Sequence, residues 1–283
     1  MSYSKQPEAQ PIIEEMESRI DQSHERILVT KKELKELVGV RNEVACVLGD
    51  THFPYEDKEA IELFFAWLKD NRDRISRVFF NGDMIDNPSL SKFVQNPRDK
   101  DANVTVGLNA MKGFMEEFRE ITECPTYYIP GNHCLRLEAY LKAKAPELYD
   151  IVKLPELLDL DEFDIKWIPA KKDAFVQYGK TLIGHFNKVS KHSAYTAKGL
   201  TEDFPSYNIV QNHTHRRGLY CKNGIWAVEN SNLADVKKAG YIGGIPNWQS
   251  GFMDINTDEE GGQLPEFIRI IGGKLYFRDD TYE

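Results

Sequence analysis

From Glu43 onward the sequence predicts an α/β protein. Three observations point there: short apolar runs alternate with stretches of helical periodicity, the closing third turns to strands joined by Gly- and Asn-rich turns, and five early runs each end in a polar cluster. The last matters most for function, because open α/β sheets place their ligands at the carboxyl ends of strands.

Residues 1–41 read as a charge-rich helical extension, and 42–283 as the main domain. In the extension Ile12, Met16 and Ile20 carry a helical spacing, and Thr30 with Glu33 forms a capping box ahead of Leu34 and Leu37, a helix that Gly39 ends. The strands expected next are Val44–Leu48, Val78–Phe80, Tyr127–Ile129, Thr181–Ile183 and Ile209–Val210, all rich in β-branched or aromatic residues. Between the first two, Ile61, Phe64, Phe65 and Leu68 fall at i, i+3, i+4 and i+7, the single apolar stripe of a helix lying on a sheet. Leu108, Met111, Met115 and Phe118 repeat that stripe. Beyond Gly218 the runs Ile225–Val228, Gly251–Ile255, Phe267–Ile271 and Lys274–Phe277 predict antiparallel strands that complete or extend a second sheet.

Composition bounds the function. Hydrophobic residues at 41% and charged residues at 29% are the balance of an ordinary globular chain, which excludes general disorder. The formal net charge of −9 excludes uniform coating of a polyanion and leaves only a local basic groove. Cys46, Cys124, Cys134 and Cys221 form no C-x-x-C pair and read as free thiols of a reducing compartment. No apolar stretch has signal-peptide or membrane-spanning length, so a cytoplasmic location without a membrane partner is expected.

The polar clusters are G-D-T-H (Gly49 to His52), N-G-D-M-I-D (Asn81 to Asp86), G-N-H (Gly131 to His133), G-H (Gly184, His185) and N-H-T-H (Asn212 to His215). They hold five of the seven histidines, counting His52, His133, His185, His213 and His215. Asp50 and His52, one residue apart past a strand end, can both turn toward one ion if the chain bends, and Gly49 supplies freedom for that bend. His213 and His215 share the spacing, so one can face each of two ions. Asp83 has two carboxylate oxygens with which to bridge neighbouring cations. Each motif alone is weak. Together, burying so many ionisable groups without an ion would leave costly unsatisfied charge.

In this order the clusters resemble the calcineurin-like metallophosphoesterase family, whose pattern is D-x-H, G-D-x-x-D, G-N-H, H and G-H-x-H. The resemblance spans Asp50 to His215 and implies a four-layer sandwich of two mixed β-sheets flanked by helices, covering roughly residues 42–280. It implies that Asp50, His52 and His215 hold a first divalent ion, that Asn132, His185 and His213 hold a second, and that Asp83 bridges. His133 then corresponds to the general acid and Asp86 to the carboxylate that orients it. Two cations about 3.5–4 Å apart would acidify a shared water and neutralise phosphoryl charge during in-line attack. The nitrogen and oxygen donors favour manganese foremost, with iron, zinc and nickel as alternatives.

This chain departs from the family pattern at three places. Cys134 stands where the protein-phosphatase branch has an acidic residue, Asn87 where it has arginine, and Asn212 where the family usually has glycine. Asn212 is expected to keep the turn, since Asn tolerates left-handed backbone. The missing guanidinium argues against a protein phosphatase. Phosphate-binding cations at the rim are sought in Arg136 and Arg216, then in Lys188, Lys191, Lys198 and Arg217. The loop from Asn87 to Asp101 would overhang the site, and Tyr195 and Phe204 read as core. The expected activity is phosphodiester hydrolysis on a nucleotide or nucleic acid, nucleases included. A phosphomonoesterase and a catalytically silent binding scaffold are the alternatives.

Overall fold

A computed structural model of the chain describes residues 43–92, 103–169, 174–238 and 246–283. The extension foreseen for 1–41, with its Thr30 capping box, and residues 93–101 of the overhanging loop lie outside the described residues.

Two mixed sheets form the body. In the first, β1 (Glu43–Leu48), β2 (Ile75–Asn81), β3 (Thr126–Ile129) and β4 (Ile165–Trp167) run parallel. In the second, β6 (Thr181–Gly184), β7 (Asn208–Gln211) and β9 (Ile225–Glu229) run parallel, while β5 (Phe175–Tyr178) and β8 (Gly218–Lys222) close its edges antiparallel. Helices α1 (Lys58–Asn71) and α2 (Val104–Ile121) make the crossovers of the first sheet, and α5 (Tyr195–Asp203) covers the second. Shorter helices α3 (Arg136–Lys144) and α4 (Leu154–Leu157) lie between β3 and β4 in the chain.

Strand periodicity explains the layers. In β1, Ala45 and Val47 point between the sheets beside Phe79, Ile183, Val210 and Val228, whereas Cys46 and Leu48 point to the helical face. The apolar stripes meet that face as their spacing predicts: Ile61, Phe64, Phe65 and Leu68 are buried with Met111, Met115 and Phe118. Asp57 caps α1 by accepting from Ala60 N at 3.2 Å, which satisfies one of the first-turn donors. On the far side Leu182, Ile209 and Ala227 pack against Ala197 and Leu200 of α5. The result is helix, sheet, sheet, helix, the four-layer sandwich expected. Among the described residues no helix is long and apolar enough to cross a membrane.

The closing third corrects one expectation. Of the four expected runs only Ile225 to Val228 joins the second sheet, and it pairs parallel with β7 as well as antiparallel with β8. The strands β10 (Ser250–Thr257), β11 (Gln263–Ile271), β12 (Lys274–Phe277) and β13 (Asp280–Tyr282) extend the first sheet instead, from the free edge of β1. The reason is burial on two faces: β10 sends Phe252 into the helical core and Met253 and Ile255 between the sheets, so it fits only as an interior strand beside β1. Tyr195 is a second correction, because it is 58% exposed rather than core, whereas Phe204 packs against Phe175 and Phe186.

Phe64 meets Trp67, Phe114 and Phe252 ring to ring where α1 lies on the first sheet. Phe64→Ala is therefore expected to cost about 3–5 kcal/mol of unfolding free energy, read from urea melts followed by circular dichroism.

Candidate metal centre

The loops after β1 and β2 are stitched together by backbone. Asp50 N donates to Gly82 O at 3.0 Å, His52 N to Asp83 O at 2.9 Å, Phe53 N to Met84 O at 2.9 Å, and Asp86 N returns to Phe53 O at 2.9 Å. Left-handed backbone then curls the loops: φ is 52° at Asp50, 54° at His52, 44° at Asp83, 78° at His213 and 57° at His215. Such conformations cost about 1–3 kcal/mol each in a residue with a Cβ, so the surrounding bonds must enforce them. Here the structure differs from expectation, since the bend resides in the Asp and His residues themselves. Gly49 serves another purpose: a Cβ there would lie 2.5 Å from Asn81 O and 2.9 Å from Asn212 Nδ2. Asn212 likewise acts through its side chain, donating to Asp50 Oδ2 at 3.2 Å and accepting from Asn81 Nδ2 at 2.8 Å.

The seven anticipated metal donors converge in one cleft together with His133. Asp50, His52 and His215 bring donor atoms within 4.8 Å of one another, as do Asp83, His185 and His213, and as do His52, Asp83 and His133. Asn132 Oδ1 joins the second group at 3.1 Å from His185 Nε2. Asp83 belongs to two groupings, with Oδ2 at 2.9 Å from His185 Nε2 and Oδ1 accepting from His133 N at 2.7 Å.

Asp86 fixes two imidazoles at once. Its Oδ2 lies 2.9 Å from His52 Nδ1 and 3.1 Å from His133 Nδ1, and its Oδ1 accepts from Arg136 Nη1 at 2.7 Å. A carboxylate can only accept, so both Nδ1 atoms carry protons and each ring, in its singly protonated form, presents a lone pair at Nε2. That of His52 faces His215 Nε2 at 3.0 Å, with Asp50 Oδ1, buried and without a hydrogen-bond partner among the described residues, 3.5 Å from the latter. Lone pairs and an orphaned carboxylate oxygen gathered this closely fit a cation. The donors are hard or intermediate, nitrogen and oxygen, and suit first-row divalent ions.

The electrostatics agree. Burial alone would raise the Asp50 carboxyl, but His215 and His185 beside it hold it down to about 2. Asp83 and Asp86 are likewise held below the usual range against their burial, Asp83 mainly by His185 and His133, Asp86 by hydrogen bonds from His133 and His52. Burial would lower His185, yet Asp83 and Asp50 push it up to about 9. His213 goes down to about 4, through burial and then the like charge of His185, and burial also lowers His215. The cleft thus concentrates anionic charge that one imidazolium partly balances and divalent cations would balance further.

The two arginines sought as phosphate contacts are both engaged by protein. Arg136 donates to Asp86 and, through Nη2 at 3.1 Å, to His133 Nε2. Arg216 is buried, donating to Lys191 O at 3.0 Å and Ser190 O at 2.8 Å beside Glu229. Lys188 pairs with Asp203, and among the described residues Arg217 Nη1 has no hydrogen-bond partner.

Sequence reasoning missed two groups around the cleft. Asn230 and Asn232 follow β9: the first donates to Val47 O at 3.1 Å, and the second to His215 O at 3.1 Å. Their signal is a polar run directly after an apolar strand, as in the five clusters above. Trp248 carried no such signal. Its half-buried ring meets His215 edge-on at 4.0 Å between centroids.

Residues 45–242 match a family model described as calcineurin-like phosphoesterase, and the chain belongs to that family. It is accordingly a metal-dependent phosphoester hydrolase. Among curated relatives, the Gene 54 protein of Mycobacterium phage L5 is 29% identical, covering 81% of this chain and 94% of its own. The Gene 54 protein of Mycobacterium phage D29 is 28% identical, covering 84% and 97%. Among solved structures, Vacuolar Protein Sorting 29 from Cryptosporidium parvum is 16% identical with a TM-score of 0.48, covering 86% of this chain and 99% of its own.

Removing Arg216 would strip the buried Glu229 of its cation and unfasten residues 190–191. Arg216→Ala is expected to destabilise the fold by roughly 3 kcal/mol in urea melts.

Proposed function

We propose that this chain is a phosphodiesterase acting on nucleotide or nucleic-acid esters through a pair of divalent cations, with manganese the first candidate. Asp50, His52 and His215 would hold one ion, Asn132, His185 and His213 the other, and Asp83 would span both. The triads of Asp50, His52 and His215 and of Asp83, His185 and His213, the position of Asn132 beside His185, and the presence of Asp83 in two groupings support that division. The cations, when bound, supply Lewis acidity that neutralises phosphoryl charge and acidifies an attacking water.

The chain's own residues supply the proton. His133 donates Nδ1–H to Asp86, so its Nε2 is the atom that, having first taken up a proton from solvent, would pass it to the leaving oxygen. Arg136 donates to that Nε2 and so stabilises the neutral imidazole that remains once the proton has gone.

The observation favouring diesters is the state of the arginines. A monoester dianion carries charge on three non-bridging oxygens and is served by a free guanidinium, whereas a diester is a monoanion with less need of one. Among the described residues, Arg136 and Arg216 are both tied to protein partners, and Asn87 stands where the protein-phosphatase branch has arginine.

Hydrolysis of bis-p-nitrophenyl phosphate with added manganese is expected to exceed that of p-nitrophenyl phosphate, and chelator should abolish both. Asp83→Asn is expected to lower kcat at least about 100-fold and to reduce bound metal measured by elemental analysis. A preference for the monoester would favour a phosphomonoesterase. Absence of bound metal, with no change on Asp83→Asn, would favour a binding scaffold.

A further inference from the structure

A strip of aromatic and cationic side chains leads away from the metal centre over α5 and the β8 edge of the second sheet. It starts at Trp248, whose ring abuts His215. The neighbouring Asn247 donates from Nδ2 to Ser193 Oγ at 3.3 Å, which ties the Trp248 segment to the residues that lead into α5. There Tyr195 stands 58% exposed, and Lys198 lies one turn further on. The Lys198 ammonium sits 5.7 Å from the Tyr195 ring and 6.0 Å from the ring of Tyr220, on β8. Lys191 is exposed beside the same segment.

Two features distinguish this strip from an ordinary solvated face. Among the described residues no carboxylate pairs with the Lys191 or Lys198 ammonium, although the chain as a whole is acidic at −9. The acidic residues of α5, Glu202 and Asp203, fall at its far end, where Asp203 is already matched by Lys188. Large aromatic rings are also left partly in solvent here, whereas Trp67 and Trp226 are buried.

We infer that this strip is the track of a single-stranded polynucleotide, whose bases stack on Trp248, Tyr195 and Tyr220 while Lys191 and Lys198 meet its phosphates. Single strands are held in this way without sequence readout: aromatic faces accept any base, and cations follow the backbone. A duplex keeps its bases stacked inside and offers nothing to these rings. The track leads to His215 and so delivers a phosphodiester to the cleft, which makes the inference depend on the diesterase reading of the metal centre.

The test uses metal-loaded protein and a fluorescein-labelled, phosphorothioate-linked oligodeoxythymidine of about ten nucleotides, with binding followed by fluorescence anisotropy. Binding that weakens with added salt is expected. It should weaken about tenfold further in Tyr195→Ala with Tyr220→Ala, and by a similar factor in Lys191→Glu with Lys198→Glu. Tyr195→Phe with Tyr220→Phe should restore it, since the ring rather than the hydroxyl stacks. For unmodified oligonucleotide, the ratio of its kcat/KM to that for bis-p-nitrophenyl phosphate should fall about tenfold in the two weakened variants. Equal affinity in all variants, or tighter binding of the matching duplex, overturns the track. If bis-p-nitrophenyl phosphate is still hydrolysed in that case, the diesterase reading stands alone; if it is not, that reading fails separately.

Discussion

Three buried carboxylates in one cleft are the constraint on which the rest of this molecule depends. Asp50, Asp83 and Asp86 are each almost wholly excluded from solvent and held ionised by imidazoles that are themselves buried. Charge removed from water at this density must be answered within a few ångströms. The fold answers with His185 as a cation, with Arg136 on Asp86, and with an arrangement of lone pairs that favours divalent ions. In the function proposed above, hydrolysis would use the same imbalance, because divalent cations held here would stabilise the negative charge of a phosphoryl group in transit.

Holding that arrangement requires backbone that few residues adopt unaided. Left-handed conformations at Asp50, His52, Asp83, His213 and His215 turn alternate side chains of each loop into the cleft. Asparagines keep them there. Asn81, Asn212 and Asn230 link the ends of β1, β2, β6, β7 and β9 through side-chain bonds to Asp50, Gly184 O, Val47 O and one another. Strain at the donors is thereby offset by hydrogen bonding in the shell behind them.

Asp86 shows how one residue couples positions far apart in the chain. By accepting from His52 and His133 together, it sets the tautomer of a metal donor candidate and of the proton donor candidate, and it draws Arg136 onto the same network. The family resemblance implied only the link to His133. The second link follows from the stitching of the β1 and β2 loops, which brings Asp86 to within bonding distance of His52.

Much of this was legible in the residues alone. Strand composition and helical spacing marked the alternating core from Val44 to Val210, because burial on a sheet or a helix face imposes a period that survives in sequence. The polar clusters marked the cleft, because each follows directly on the strand that positions it. What the tertiary structure decided was partnership. Which edge received β10 to β13 depended on β1 being buried on both faces, a property of the sheet rather than of any local run. The engagement of Arg136 and Arg216 by protein, and the placement of Trp248 against His215, arise from segments distant in sequence meeting in space. Periodicity records which side of its own element a residue occupies, and it carries no record of what stands opposite.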